Sequence, residues 1–227
     1  MTAAPGARVA GTPQFWWRVA IIVVCLVGLS SGNHRLVFFT TQSNVIVFAY
    51  FAGALYWMLR RGTSDAPAPR LRGAMTAWIL TTALVSHVLL NYGASPLPGL
   101  FVTDPAEALA NRSLFILHYV VPGMVLVDWL AFGPRRAVRW RDGLVWLLYP
   151  FLYGVITLAR AIAFPTIADR FPYPFLNIDY LGIGGALLGL LQVVAVIAVV
   201  AAIVIGLDRA VAALSDRRRR ARTAPGA

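Results

Sequence analysis

The chain is 227 residues long, 59% of them apolar and only 13% charged, with a mean hydropathy of +0.71. A soluble globule carries about 25% charged residues to cover its surface, so this composition excludes both an ordinary soluble enzyme and a disordered chain. The formal charge is +11, from twenty Arg and no Lys against nine acids, and the lone Cys25 lies in an apolar run, which excludes a disulfide framework or a thiolate metal site.

Apolar runs near the ~20 residues that a helix needs to cross hydrocarbon lie at about 15–31, 42–60, 73–92, 113–132, 143–163 and 181–207. Gly62-Thr63-Ser64-Asp65-Ala66-Pro67, Ser95-Pro96-Leu97-Pro98-Gly99 and Gly133-Pro134 punctuate the connections. The pattern predicts an all-α polytopic membrane protein with six transmembrane helices. Residues 1–14 form an N-terminal tail, 15–207 the membrane domain and 208–227 a basic tail, with no internal repeat. The tails, up to about residue 15 and beyond Asp216, read as disordered.

Sixteen of the twenty Arg fall on one side of these spans, leaving Arg35, Arg112, Arg160 and Arg170 on the other. By the positive-inside rule both termini are cytoplasmic, in the plasma (inner) membrane of a bacterium, since an Arg-only complement accompanies GC-rich genomes. The whole excess of positive charge is thereby explained by topology. Arg8 and Arg18 ahead of an apolar run ending at Ser30-Ser31-Gly32 also fit a cleaved signal peptide; a short first span is the preferred reading. The arginine run at 217–220 so close to a span meets anionic lipid, not nucleic acid. Trp16, Trp17, Trp57, Tyr92, Trp129 and Trp140 sit near span ends as interfacial anchors.

Polar side chains at membrane depth are costly and mark function by default. The outer end of the second span reads Thr40-Thr41-Gln42-Ser43-Asn44, more polar residues than an N-cap needs. The third span carries Ser86-His87 with Asn91 one turn on, and the fourth carries His118 with Pro122 four residues later. That proline cannot donate to the His118 carbonyl, so a kink is expected there. The three clusters share one depth. In the fifth span Tyr149, Tyr153, Thr157 and Arg160, spaced four, four and three apart, form one polar face whose cation suits a carboxylate or phosphate. The segment from Phe171 to Asp179, with two prolines and three aromatics, reads as a rigid lid, or as a loop lying on the membrane. Asp128, about 15 Å of helix rise from His118, is too far to orient it and reads as a partner for inner-side arginines. Gly185 and Gly189 read as a helix-packing stripe.

Phe38-Phe39-Thr40 before a polar helix start, His118 with Pro122 and Asp128, and Tyr173-Pro174-Phe175-Leu176 together resemble the androgen-induced-gene type of multi-span threonine hydrolases. The chain is even more similar to their bacterial relatives, the Pr-six-Pr membrane proteins, from about Thr40 to Gly189. The resemblance implies hydrolysis of lipid esters of the kind that join fatty acids to hydroxy fatty acids. It also implies a nucleophile at Thr40 and a base at His118, with Thr41 and His87 as alternatives. Ser43, Asn44 and Asn91 are then candidate oxyanion or pocket donors, and Tyr149, Tyr153 and Arg160 candidate substrate contacts. Partners are membrane lipids and a lipid ester; no cofactor or metal is implied, and nothing specifies an oligomeric state. The competing reading is a non-catalytic lipid-binding or transport protein, although transport needs a polar path through the midplane. A haem held between His87 and His118 is the remaining alternative.

Overall fold

The computed structural model describes residues 9–32 and 34–223, and every regular element among them is helical. Six helices are long and apolar enough to cross a membrane: α1 (Pro13–Ser30), α2 (Phe39–Arg61), α3 (Pro69–Leu90), α4 (Pro105–Ala131), α5 (Trp140–Ala163) and α6, apolar over Ile178–Arg217. Their starts follow from local chemistry. Thr12 and Asp104 cap α1 and α4 through side-chain oxygens, with proline at the next position, and Pro69 opens α3. Gly62, at φ 64°, supplies the left-handed residue that ends α2.

Helices α1 to α4 share a core built on Ile21, Cys25, Phe51, Met75, Ile79 and Val125, all fully or almost fully buried. That burial packs α1 into the same core as α2, α3 and α4. Large apolar side chains such as Val23, Tyr56, Val145, Ile156, Leu188 and Val199 face outward, as in a helix bundle whose solvent is lipid.

One end of the bundle is tied by arginines. Asp128 accepts from Arg18 Nε at 3.0 Å and from Arg72 Nε at 2.9 Å, all three side chains being at most 1% exposed. Arg72 also donates to the carbonyls of Phe132, at 3.1 Å, and of Asp128, while Arg18 donates to Ser64 O at 3.0 Å. Asp128 is thus the shared counter-ion of α1 and α3. Trp129 is no interfacial anchor: it is 2% exposed and donates to Val204 O of α6. Trp17 likewise donates to Met124 O of α4, whereas Trp16, Trp57, Tyr92 and Trp140 are exposed.

Two expectations are corrected in α6. The helix does not end near 207 but continues to Thr223, so the tail after Asp216 is helical as far as it is described; residues 1–8 and 224–227 of the two tails lie outside the described residues. Gly189 does not serve a helix-packing stripe either. A Cβ there would meet Phe175 O at 2.4 Å, so this glycine seats the loop before α6. Gly182, at φ 67° and ψ 171°, turns the chain from that loop into the long helix.

Candidate active site

At the end opposite the arginines, α2 begins without a side-chain cap: Phe38, its N-cap, makes no such bond. The first N–H groups of a helix have no partner within it. Here the Tyr173 hydroxyl accepts from Thr40 N–H at 3.4 Å. Phe39 stacks on Tyr149 and meets Tyr153 edge-on, with ring centroids 5.3 and 5.2 Å away. Those tyrosines also bond α2 or the residues just before it, Tyr149 to Gln42 Oε1 at 2.9 Å and Tyr153 to Val37 O at 2.7 Å. The first turn of α2 is therefore held rigidly in place.

Thr40 Oγ1 on that turn lies 3.1 Å from His118 Nε2 of α4. On its other side the ring faces Leu114 O, 2.9 Å from Nδ1. A carbonyl only accepts, so Nδ1 carries the proton and Nε2 is left as the acceptor for the threonine hydroxyl. The backbone explains this placement. Ile116–Val120 is a π-helical turn inside α4, and Ser86–Leu90 is another at the end of α3. Such turns rotate side chains out of the α register and are concentrated at functional sites. Pro122 thus comes one residue into the α-helix that follows a π turn, where the sequence predicted a kink.

The remaining predicted residues separate into those beside the pair and those away from it. Thr41 is buried and lines the same cavity, but Thr40 holds the imidazole contact. His87 bonds Tyr119 Oη at 3.2 Å, as does Asn91 at 3.4 Å, forming a separate polar cluster. The oxyanion assignments to Asn44 and Ser43 are corrected. Asn44 Nδ2 is spent on Thr40 O and Leu117 O, at 2.9 and 3.3 Å, and Ser43 is buried and lines none of the cavities around the pair. Asn91, bonded to Tyr119, lines a further cavity that His118 also borders. Arg160 lines a cavity with Tyr149, Tyr153 and Thr157, and it donates to Ala168 O and Asp169 O, at 2.8 and 3.2 Å. Together with Arg35 on Asp169 and Arg170 on Asp179, both at 2.6 Å, it straps down the loop between α5 and α6. Tyr149 braces α2, and only Tyr153 of the stripe's tyrosines reaches the cavity at Thr40. Both ring nitrogens of His118 are engaged in hydrogen bonds within the protein, so His118 is not presented to a haem iron.

Two residues carry more than their sequence context announced. Tyr173, within the predicted lid, is 8% exposed and reaches into the site, so the loop plugs the bundle instead of lying on a surface. Burial pushes its hydroxyl above the ordinary tyrosine range, against the opposing pull of hydrogen bonds from Thr40, so it stays a proton donor. His34 lies in the α1–α2 connection, with Nε2 2.5 Å from Ser113 Oγ, whose own proton goes to Gly28 O at 2.7 Å. Ser113 must then accept from His34, which leaves Nδ1 unprotonated. A Cβ at Gly32 would meet His34 Nε2 at 2.6 Å, so Gly32-x-His34 is the local signal for this arrangement.

Thr40, His118 and Tyr173 stand where two cavities meet. One is a slot of about 40 Å³ running between α3, α5 and α6 past Thr82, Val85, Leu190 and Ile197. The other is a vestibule of about 390 Å³ bounded by Gly32, His34, Thr41, Ala110, Leu114 and Pro172, the alanine and leucine being exposed. Among the described residues no cluster of His, Cys, Asp or Glu is suited to hold a metal ion. Comparison with protein-family models, with curated proteins and with solved structures finds no match to this chain.

Proposed function

We propose that this protein is a membrane-embedded hydrolase of lipid esters, with Thr40 as nucleophile and His118 as general base. The observation that carries this reading is the run from Thr40 Oγ1 through His118, 3.1 Å to Nε2 and 2.9 Å from Nδ1 to Leu114 O. A hydroxyl is a weak nucleophile unless a base lies within hydrogen-bond reach and a third group orients that base. Here a backbone carbonyl takes the orienting role.

In this mechanism Thr40 Oγ1 attacks the ester carbonyl while its proton passes to His118 Nε2. The oxyanion accepts from the Tyr173 hydroxyl, whose oxygen takes the Thr40 N–H and whose own proton remains to be donated. The carbon–oxygen bond to the alcohol then breaks, and His118 returns the proton to the departing alkoxide. Water attacks the acyl-threonine, gives its proton to Nε2, and Thr40 regains it as the carboxylic acid leaves. Because Leu114 O is neutral, it steadies the imidazolium less than a carboxylate would, which suits a slow enzyme. The resemblance to multi-span threonine hydrolases supports the same pair. With the termini cytoplasmic, as the arginine distribution predicts, the vestibule opens toward the outer leaflet.

The test is turnover of a panel of lipid esters by purified protein in nanodiscs, beside Thr40→Ala, Thr41→Ala and His118→Ala. Loss in the first and third with retention in the second is expected. Ester binding without turnover by the wild type would instead make this a lipid-binding protein.

A further inference from the structure

We infer that the cleft between α5 and the start of α2 holds one anionic phospholipid, its phosphate on Arg160 and an acyl chain along Ile156 and Leu152. The site is separate from the Thr40–His118 pair and does not rest on the hydrolase reading. Charge is the first argument. Around the loop after α5, three arginines (Arg35, Arg160 and Arg170) meet two carboxylates (Asp169 and Asp179). Arg35 and Arg170 each take one carboxylate, at 2.6 Å. Arg160 has only the carbonyls of Ala168 and Asp169, and among the described residues its Nε bonds nothing. Carbonyls satisfy hydrogen bonds but leave the charge, and a cation near membrane depth is costly without a counter-ion. The planar fork of a guanidinium matches a phosphate.

The order of groups along the cleft is that of a lipid. Arg160 lies three residues before the end of α5 at Ala163, and Ile156 and Leu152 follow it inward in steps of four. The three therefore share one helix face over about 12 Å of rise. Leu36, from the segment before α2, lines the same cleft, and Leu36, Leu152 and Ile156 are all exposed. A cation at the rim with bare hydrocarbon beneath it pairs with a charged head and an acyl chain.

The polar groups of the wall ask for nothing more. Gln42 Nε2 donates to Leu36 O at 2.6 Å, and its Oε1 accepts from Tyr149 at 2.9 Å. Tyr153 donates to Val37 O at 2.7 Å. Below Arg160 the cleft thus suits hydrocarbon. The sign of the head follows from the surplus cation, since a head bearing an ammonium would bring a second positive charge to it.

The experiment is photo-labelling of the full chain in phosphatidylcholine nanodiscs doped with phosphatidylglycerol or phosphatidylcholine, each bearing a diazirine on its acyl chain. Adducts within residues 36–42 and 149–160 should form at least about fivefold more with phosphatidylglycerol, which is what one arginine beside an anionic lipid contributes. Arg160→Gln should abolish that preference. Arg160→Lys should retain it, because charge is kept while the fork that binds the loop is lost. Ile156→Trp, on the exposed rim, leaves the hydrogen bonds of Arg160 alone and should reduce the adducts even if Arg160→Gln fails to fold. Equal labelling by the two lipids, a preference that survives both Arg160→Gln and Ile156→Trp, or displacement by oleate as readily as by unlabelled phosphatidylglycerol overturns the inference. No ester is turned over in this test, so its result leaves the hydrolase reading untouched.

Discussion

Thr40 and His118, 78 residues apart in sequence, meet at 3.1 Å, and Leu114 O fixes the tautomer in which the histidine accepts the threonine proton. General-base catalysis contributes roughly 10²–10⁴-fold. Replacing either residue with Ala is therefore expected to lower kcat for ester hydrolysis by about that factor. Thr40→Ser keeps the hydroxyl and should retain activity, and Thr41→Ala should stay within a few-fold. Equal losses for Thr40→Ala and Thr41→Ala would show that the hydroxyl beside His118 is not the nucleophile.

Tyr173→Phe removes one hydroxyl from the start of α2 and leaves the ring packed among Phe38, Tyr153 and Phe175. Loss of a single oxyanion donor costs about 10²–10³ in kcat. The expected result is a fall in kcat of about that size, with KM nearly unchanged. A rise in KM alone would mean that the hydroxyl only holds the loop.

The bundle was legible because its physics is one-dimensional. Hydrocarbon thickness sets span length and arginine sets the connections, so the predicted spans fall within a few residues of α1, α2, α3 and α5, whereas α4 begins at Pro105 and not near 113. The Thr40–His118 pair was legible only through a resemblance of short motifs, since nothing local says that residues 78 apart touch. What stayed hidden depends on three-dimensional register. The π turns carry no composition signal, and they aim both His87 and His118. Asn44 looked like a donor to the site because sequence shows a free amide; the fold spends that amide on two carbonyls. The hydrogen bonds from Arg160 to the loop after α5 were hidden for the same reason.

His34 gives the protein a pH-dependent stability. Burial lowers its folded pKa below the ordinary value of 6.5, against an opposing hydrogen bond to Gly28 O. The unfolded chain then binds the proton more readily, so this stability is fully present above about 6.5 and is lost as pH falls through the folded value. Melting temperature in detergent should drop between pH 7.5 and 5. His34→Gln should flatten that slope, and a wild-type-to-variant difference constant over the range would remove His34 as its source.

Asp128 neutralises two guanidinium groups, Arg18 and Arg72, both at most 1% exposed. Removing one partner from a buried ionic cluster costs about 3–5 kcal/mol, because the remaining charge stays buried. Asp128→Asn should destabilise by about that amount in chemical unfolding. Arg18→Met added to it should recover part of the loss, since one uncompensated cation then disappears. No recovery in the double variant would place the cost in lost hydrogen bonds and not in charge.

Gly189→Ala separates the placement of the loop from the stability of the bundle. The new Cβ would lie 2.4 Å from Phe175 O, a backbone atom that cannot rotate away, so the Pro174–Leu176 turn must shift. That turn adjoins Tyr173, which touches Thr40 N–H, so the displacement passes straight to the oxyanion side of the site. The helix itself tolerates the change, because Ala has the higher helix propensity by about 1 kcal/mol. Activity should therefore fall by at least tenfold while the melting temperature moves by only a few degrees. If the glycine served helix packing alone, melting temperature and activity would fall together, and activity restored to wild type at low temperature would mark that outcome.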